Sequence, residues 1–258
     1  MDIANIQSLG LALSLPFLAG LSTAVGSLLG LFVNKPNARF MSIALGFSAG
    51  VMIYVSFAEL LQEGMEAVGF IQANIAFFGG MLLMLAVDAL TPHQYLAETH
   101  RIGNRPCNGE LLRAGIFCAI GIAIHNFPEG MATFAGTLQD PALGMAIATA
   151  IAIHNIPEGL AISVPVYAAT GSRRKAFWWS VFSGLAEPIG AILAAIVLGP
   201  FLNPIVLGYV LAGVAGIMVF ISLDELMPIA KSYDREHDAI LGAILGMIVM
   251  SLSLWLLG

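Results

Sequence analysis

The chain has 258 residues, of which 59% are hydrophobic and only 10% are charged, and its mean hydropathy is +0.90. A soluble domain carries about 25% charged residues, so this composition excludes a soluble globular protein and predicts an integral membrane protein. The apolar runs are too long for barrel strands and lack their alternation, which predicts an all-α protein. We expect the lipid bilayer as its surroundings and no nucleic acid as a partner. The two cysteines provide no disulfide framework.

Eight apolar segments approach or exceed the ~20 residues that a helix needs to cross ~30 Å of hydrocarbon. They are predicted at about 8–33, 40–62, 71–91, 111–136, 143–168, 176–199, 205–227 and 239–257, and are numbered spans 1 to 8 in that order. The first run has no basic stretch before it, so we interpret it as span 1 and not as a cleavable signal peptide. Residues 1–258 are predicted to form a single transmembrane domain.

All ten basic residues lie in or beside alternate connections between the spans. They are Lys35, Arg39, Arg101, Arg105, Arg113, Arg173, Arg174, Lys175, Lys231 and Arg235. The connections that hold them join span 1 to span 2, 3 to 4, 5 to 6 and 7 to 8. Because basic residues accumulate in cytoplasmic loops, these four connections are predicted to be cytoplasmic and both termini to lie outside.

Parts of the chain are repeated in spans that run in opposite directions. Residues 49–61 of span 2 align without a gap with residues 215–227 of span 7. A fainter match aligns Gly20 and Gly26 of span 1 with Gly184 and Gly190 of span 6, again without a gap. The spans are therefore predicted to form a 3+2+3 arrangement, in which three spans, a central pair and three inverted spans follow one another. Inverted repeats with a binding site at the midplane are typical of secondary transporters.

Spans 4 and 5 each contain one copy of a nine-residue motif, and the two copies together are called the doubled phrase. Residues 122–130 read Ile-Ala-Ile-His-Asn-Phe-Pro-Glu-Gly, and residues 151–159 repeat them with Ile in place of Phe. Histidine and glutamate four residues apart share one helix face, and the asparagine points about 100° away from the histidine. Each phrase thus offers an imidazole, a carboxylate and an amide, which is a metal-ligand set of mixed nitrogen and oxygen type. The proline frees one backbone carbonyl, which a membrane tolerates only beside protein or water.

The candidate metal ligands near the middle of their spans are His125, Asn126, Glu129, His154, Asn155, Glu158 and Glu187. No Lys or Arg lies at that depth. A charge at the bilayer centre costs about 2.5–3.5 kcal/mol on insertion scales, and a bound cation relieves that cost. The two histidines favour a borderline-soft divalent cation over Na⁺ or Mg²⁺. The alternative is a hydrogen-bonded polar cluster that holds the helices together, in which the asparagines are packing amides.

Further candidates lie elsewhere along the spans. Glu59 and Met52 are candidates for the outer entrance. Met52, which matches Met218 in the repeat, either fills the core or offers a thioether to a soft metal. The candidates for the inner exit are Asp88, His93, Asp224 and Glu225. The alternative for the carboxylates is that they are hydrated helix ends with no part in conduction.

With these motifs the chain resembles the ZIP family of divalent-metal transporters. The doubled phrase, the run Gly184–Pro188 and the run Asp224–Pro228 carry the resemblance, which extends over essentially the whole chain. The short chain is similar to the bacterial ZupT-type branch of that family. The resemblance implies uptake of divalent metal into the cytoplasm, with Zn²⁺ and often Fe²⁺, Mn²⁺, Co²⁺ and Cd²⁺ as substrates. It also implies a homodimer in the bacterial inner membrane, without a cofactor.

The resemblance further implies two metal ions side by side. One falls to His125, Glu129, His154 and Glu158. The other falls to Asn126, Asn155, Glu158 and Glu187. Glu158 would then bridge the two ions. Asn155 stands where some members of the family have Asp, and a neutral amide offsets less of a dication's charge.

A metal transporter is the preferred interpretation, and an intramembrane metal-dependent hydrolase, whose metal activates water, is the alternative. The chain lacks a His-Glu-x-x-His motif, and inverted symmetry has no use in a one-sided enzyme. A Na⁺ or H⁺ exchanger suits the carboxylates but not the paired histidines. We therefore expect a carrier of divalent metal and not an enzyme.

Overall fold

The structure is a computed structural model that describes residues 3–32, 38–90, 108–197, 201, 203–233 and 235–257. Within these ranges every regular element is a helix, which confirms the predicted all-α class. Seven of the described helices are long and apolar enough to cross a membrane. The helix Asn108–Gln139, with 32 residues, has the length for an eighth crossing. The chain is a multi-pass membrane protein.

The helices agree with the eight predicted spans and extend most of them by a few residues, because a helix continues beyond its apolar stretch into the interface. Spans 1, 3, 4, 5 and 8 are the single helices Ile3–Phe32, Phe70–Leu90, Asn108–Gln139, Pro141–Thr170 and Glu236–Leu257. Span 2 comprises Ala38–Val55, Ser56–Leu60 and Leu61–Val68. Span 6 comprises Arg173–Gly184 and Ala186–Val197. Span 7 comprises Pro204–Ile221, Ser222–Leu226 and Met227–Lys231.

At two places a single residue joins neighbouring spans. Gly69 separates spans 2 and 3 and has a φ of 89°, which glycine adopts without a Cβ clash. Asp140 separates spans 4 and 5, and its side chain accepts the amide N–H of Ala142 at 2.8 Å. Pro141 follows in the first position of span 5, where its missing N–H costs no helical hydrogen bond. Spans 4 and 5 then lie along each other, whereas spans 2 and 3 contact each other near their joint.

Each of the most extensive contacts between two spans has an equivalent contact, to which the inverted repeat relates it. Span 1 lies along span 5 and span 6 along span 4, while span 2 lies along span 8 and span 7 along span 3. Spans 4 and 5 also lie along each other. The repeat relates span 1 to 6, 2 to 7, 3 to 8 and 4 to 5, so each of these contacts has its counterpart. The helix packing thus follows the predicted 3+2+3 inverted arrangement.

Glycines bring the paired helices close together, and they do so at matching positions. A Cβ added to Gly26 would overlap the carbonyl oxygen of Ile156, and one added to Gly190 would overlap that of Phe127. The two glycines align in the repeat of spans 1 and 6, and the two carbonyls belong to the variable position of the doubled phrase. Small residues let membrane helices approach backbone to backbone. The repeat therefore fixes how spans 1 and 6 lie against the central pair.

A wide π-helical turn interrupts spans 2 and 7 at the same position of the repeat. The turns are Ser56–Leu60 and Ser222–Leu226, which align residue for residue. In each, the first serine donates its hydroxyl to the carbonyl four residues earlier, at 2.7 Å in span 2 and 2.8 Å in span 7. Such turns are rare and frequently lie at functional sites.

Span 6 is interrupted between Gly184 and Ala186, where Leu185 forms a turn. Pro188 has no amide hydrogen, so the carbonyl of Gly184 loses its usual helical donor. The second half of the span therefore begins one residue before Glu187, which lies in its first turn.

Candidate metal site

Six of the seven predicted ligands are completely buried between the helices. Asn126, Glu129, His154, Asn155, Glu158 and Glu187 expose none of their surface. The side chain of His125 lies outside the described part of the structure, although its backbone belongs to span 4. Three buried carboxylates, with every Lys and Arg of the sequence in or beside the connections, need other polar groups or a cation to offset their charge.

The two copies of the doubled phrase meet through a carboxylate and an imidazole. Glu129 Oε1 of span 4 lies 3.2 Å from His154 Nε2 of span 5. Two hydroxyls bind the backbone beside them. Thr133 donates to the carbonyl of Glu129 at 3.0 Å, and Ser48 of span 2 donates to that of His154 at 3.2 Å. The contact brings one nitrogen and one oxygen together, as a mixed ligand set requires.

The asparagines connect the site to spans 1 and 6 in a mirrored way. Asn155 donates to the carbonyl of Ala19 at 3.1 Å and also to Glu187 Oε1. Asn126 donates to the carbonyl of Ser183 at 3.4 Å. Ala19 aligns with Ser183, since each precedes the matching glycine of its span, so the inverted repeat relates the two backbone contacts. Because the amide nitrogens are engaged, the amide oxygens are the atoms left to bind a cation.

Several buried oxygen atoms of the site make no hydrogen bond within the described residues. They are Glu129 Oε2, Glu187 Oε2, Asn126 Oδ1 and Asn155 Oδ1. Buried polar atoms are nearly always bonded, and carboxylate and amide oxygens are good ligands of divalent cations. The chemistry of these atoms is therefore that of ligands for a divalent cation, and their role as ligands stays a prediction.

The ligand side chains form pairs and not one compact group. Across the ranges that the structure describes, no three His, Cys, Asp or Glu side chains come together closely enough to hold one ion. Glu129 is paired with His154, and Asn155 with Glu187. The four-ligand set that the resemblance implies for the first ion includes His125, and both sets stay predictions.

The two methionines that match in the repeat lie in the hydrophobic core. Met52 is 0% exposed and Met218 is 1% exposed, and both belong to the large apolar cluster between the spans. This placement is what core filling requires. A role for Met52 at the entrance stays a prediction.

The candidate mouth residues lie towards the span ends. Glu59 and Glu225 stand in the two π-helical turns and are partly buried, while Asp224 is exposed. Asp88 is partly buried near the end of span 3. His93 lies outside the described residues. The assignment of these residues to an entrance and an exit stays a prediction.

Sequence reasoning missed several hydroxyl side chains near the site. Ser48 and Thr133 bind its backbone, while Thr23, Ser27 and Ser183 are at most 2% exposed. The hydroxyl oxygens of the last three make no hydrogen bond within the described part of the chain. Serine and threonine are common in membrane helices and usually bond to their own backbone, so residue type alone does not single them out. The available signal for Thr23 is that it aligns with Glu187 in the repeat.

A buried nitrogen and oxygen ligand set inside inverted repeats of membrane helices defines the carrier class of multi-pass membrane proteins. The sequence profile described as ZIP Zinc transporter matches residues 91–254. The chain belongs to the ZIP zinc transporter family.

Bacterial proteins named Zinc transporter ZupT are similar over almost the whole chain. The one from Chlorobium limicola is 52% identical, over 95% of this chain and 97% of its own. The one from Chlorobium phaeovibrioides is 53% identical, over 95% of this chain and 97% of its own. The one from Oceanobacillus iheyensis is 50% identical, over 96% of this chain and 98% of its own. These relatives confirm the resemblance found in the motifs.

Proposed function

We propose that this protein imports divalent metal ions into the cytoplasm, with Zn²⁺ as the main substrate and Fe²⁺, Mn²⁺, Co²⁺ and Cd²⁺ as further ones. Its relatives are named zinc transporters. The observation that carries the proposal is the complete burial of three carboxylates and an imidazole in the middle of their spans. A dication offsets the charge of such a group, and a carrier delivers one.

The donor atoms divide into two neighbouring ion positions. We infer a first ion held by His125, Glu129, His154 and Glu158. We infer a second ion held by Asn126, Asn155, Glu158 and Glu187. Glu158 serves both, as a shared carboxylate does between metals about 3.5–4 Å apart. Neutral imidazoles and ionised carboxylates bind the ions, so loading the site releases protons.

Transport requires that the site open first to one side of the membrane and then to the other. Inverted repeats supply two such states, because exchanging the conformations of the two repeats converts an outward-open carrier into an inward-open one. The matched packing of spans 1 and 6 and of spans 2 and 7 supports this for the present chain. A hydrolase has no use for two states, and the relatives are named transporters, so this alternative is not favoured.

We also infer both termini outside, a bacterial inner membrane location and a homodimer as the working unit. In a background without Cys107 and Cys118, Asp140→Cys should react with an impermeant thiol reagent in intact cells, because Asp140 is an exposed joint on the predicted outer side. Ser172→Cys should react only after the cells are opened. The reverse labelling pattern would overturn the orientation. The molar mass of the purified protein, measured by size-exclusion chromatography with multi-angle light scattering, tests the dimer.

Metal flux tests the function itself. Purified protein is placed in liposomes that contain a trapped Zn²⁺ indicator, with protein-free liposomes as one control and Glu158→Gln protein as the other. Wild-type protein should admit Zn²⁺ and the two controls should not. Folded wild-type protein without flux, or one that hydrolyses the lipid or an added peptide, would contradict a carrier.

A further inference from the structure

The inverted repeat gives Glu187 a counterpart in span 1, and that counterpart is Thr23. The two residues align in the same register as the matching glycines of spans 1 and 6. A Cβ on Gly130 of span 4 would overlap the carbonyl oxygen of Glu187, and one on Gly159 of span 5 would overlap that of Thr23. Thr23 therefore stands beside span 5 as Glu187 stands beside span 4.

Thr23 is one of three residues on neighbouring helices that each have, in the part of the chain that the structure describes, a buried oxygen atom without a hydrogen-bond partner. Its Oγ1 is fully buried and makes no hydrogen bond within the described residues, and the same holds for Asn126 Oδ1 and Ser183 Oγ. Thr23 Oγ1 lies against Gly184, 3.1 Å from the position that a Cβ there would take. Asn126 donates to the carbonyl of the adjacent Ser183. The threonine and the asparagine thus reach the same turn of span 6 from spans 1 and 4.

The surroundings of Asn155, which the repeat relates to those of Asn126, differ from them by one functional group. There Asn155 donates to the carbonyl of Ala19 and also meets the carboxylate of Glu187. On the Thr23 side a neutral hydroxyl replaces that carboxylate. Two hydroxyls and an amide oxygen form an uncharged, all-oxygen set. Zn²⁺ binds most nitrogen and oxygen sites more tightly than Mn²⁺ does, and an all-oxygen set narrows that difference because Mn²⁺ favours oxygen ligands.

We propose that Thr23, together with Asn126 and Ser183, supplies an additional oxygen-ligand position at the edge of the site and thereby sets the preference of the carrier among divalent cations. The inference rests on the proposed function, because it extends the same site. A harder ion uses the Thr23 hydroxyl as a ligand. Zn²⁺, held by the imidazoles, does not need it.

The test compares metal binding by purified full-length protein carrying Thr23→Val or Thr23→Ser. Valine replaces the hydroxyl with a methyl group of similar size, whereas serine retains the hydroxyl. The protein is titrated calorimetrically with MnCl₂ alone and with ZnCl₂ alone. Thr23→Val should weaken Mn²⁺ binding about 3- to 10-fold, the size of one lost polar contact, and change Zn²⁺ binding by less than about twofold. Thr23→Ser should bind both ions as the wild type does.

The neighbouring Ser22 provides a matched control, because its hydroxyl already donates to the carbonyl of Ala19. Ser22→Ala should leave both affinities unchanged. Thermal unfolding without metal should show Thr23→Val at least as stable as the wild type, since a buried hydroxyl without a protein partner is removed. If Thr23→Val does not fold, Thr23→Ala provides the same comparison.

The outcomes separate this inference from the proposed function. Unchanged Mn²⁺ affinity in Thr23→Val means that the hydroxyl binds ordered water only, which overturns the inference. Equal weakening for Mn²⁺ and Zn²⁺ also overturns it, since the hydroxyl would then confer no preference. A wild-type protein that binds neither ion contradicts the proposed function and not this step alone.

Discussion

Spans 1 and 6 have the same packing and different chemistry. Each lies along one copy of the doubled phrase and approaches it through a glycine, Gly26 in span 1 and Gly190 in span 6. At equivalent positions, however, span 6 carries Glu187 and span 1 carries Thr23. Small residues bring the backbones close on both sides, whereas the side chain at the equivalent position is a carboxylate in span 6 and a hydroxyl in span 1. The residues that the repeats share therefore set where the helices meet, and the residue that differs between them sets the charge at the candidate site.

The largest effect should come from removing a candidate ligand from spans 4 and 5, in which both copies of the doubled phrase keep their His and Glu. Glu158→Ala should abolish uptake, and His125→Ala, Glu129→Ala or His154→Ala should each reduce it severely. Loss of a partner for a buried charge costs about 2–5 kcal/mol, which is roughly 30-fold or more. Initial uptake of radioactive Zn²⁺ measures the effect, with elution on size exclusion as the control for folding. Near wild-type rates in any two of the four variants would show that the assignment is wrong.

Glycines of spans 3 and 8 test whether the two repeats pack alike. A Cβ on Gly80 would overlap the carbonyl oxygen of Gly213, and one on Gly246, its counterpart in span 8, would overlap that of Phe47. Gly80→Ala and Gly246→Ala should each lower the melting temperature by roughly 2–12 °C, since overpacking costs about 1–3 kcal/mol.

The neighbouring Gly79 is the control, because a Cβ there would meet nothing within 4 Å. Gly79→Ala should have the same melting temperature in detergent as the wild type. If it is as harmful as Gly80→Ala, the close approach of spans 3 and 7 is not what the glycine serves. A large difference between Gly80→Ala and Gly246→Ala would show that the two repeats do not pack alike.

A fall in pH should weaken metal binding by the imidazoles and by the carboxylates alike. Imidazole binds metal only when neutral and carboxyl groups bind it best when ionised, so protons compete with the ion. Metal affinity should therefore fall as the pH falls, on the order of tenfold between pH 7.5 and pH 5.5. Calorimetric titration at the two pH values, in two buffers of different ionisation enthalpy, measures affinity and released protons together. Equal affinities without proton release would mean that these side chains are not ligands.

The smallest effects should appear at Glu59 and Glu225, which occupy the same repeat position and are the candidates for the outer and the inner mouth. Carboxylates at a mouth raise the local cation concentration, and salt screens that attraction. Glu59→Gln should raise the KM for external metal about two- to fivefold at low ionic strength and less in salt. Glu225→Gln should leave KM nearly unchanged and lower the maximal rate, because release is slowed.

Initial uptake against metal concentration, at low and high salt, separates these cases. If neither variant changes uptake, both carboxylates are hydrated parts of their turns. A shift of KM alone in Glu225→Gln would reverse the assignment of the mouths.

Hydropathy and repetition were enough to predict the helical spans, their inverted packing and the burial of six of the seven candidate ligands. An apolar run of sufficient length has few alternatives in a bilayer, and a doubled phrase must occupy equivalent places. The wide turns at Ser56–Leu60 and Ser222–Leu226 were not predicted, because a π-helical turn has the composition of the helix around it. The hydrogen bond from Ser48 to the backbone of His154 was not predicted either, since it depends on how two distant helices are rotated.

The single residue between spans 4 and 5 has a mechanical consequence. Consecutive Cα atoms are about 3.8 Å apart, so the joint at Asp140 permits almost no sliding of one helix along the other. Gly144 and Thr137 interlock beside it, since a Cβ on Gly144 would overlap the threonine side chain. Shear between the helices that carry Glu129 and His154 is thus removed from the motions open to the protein. We therefore expect these two helices to move together during transport.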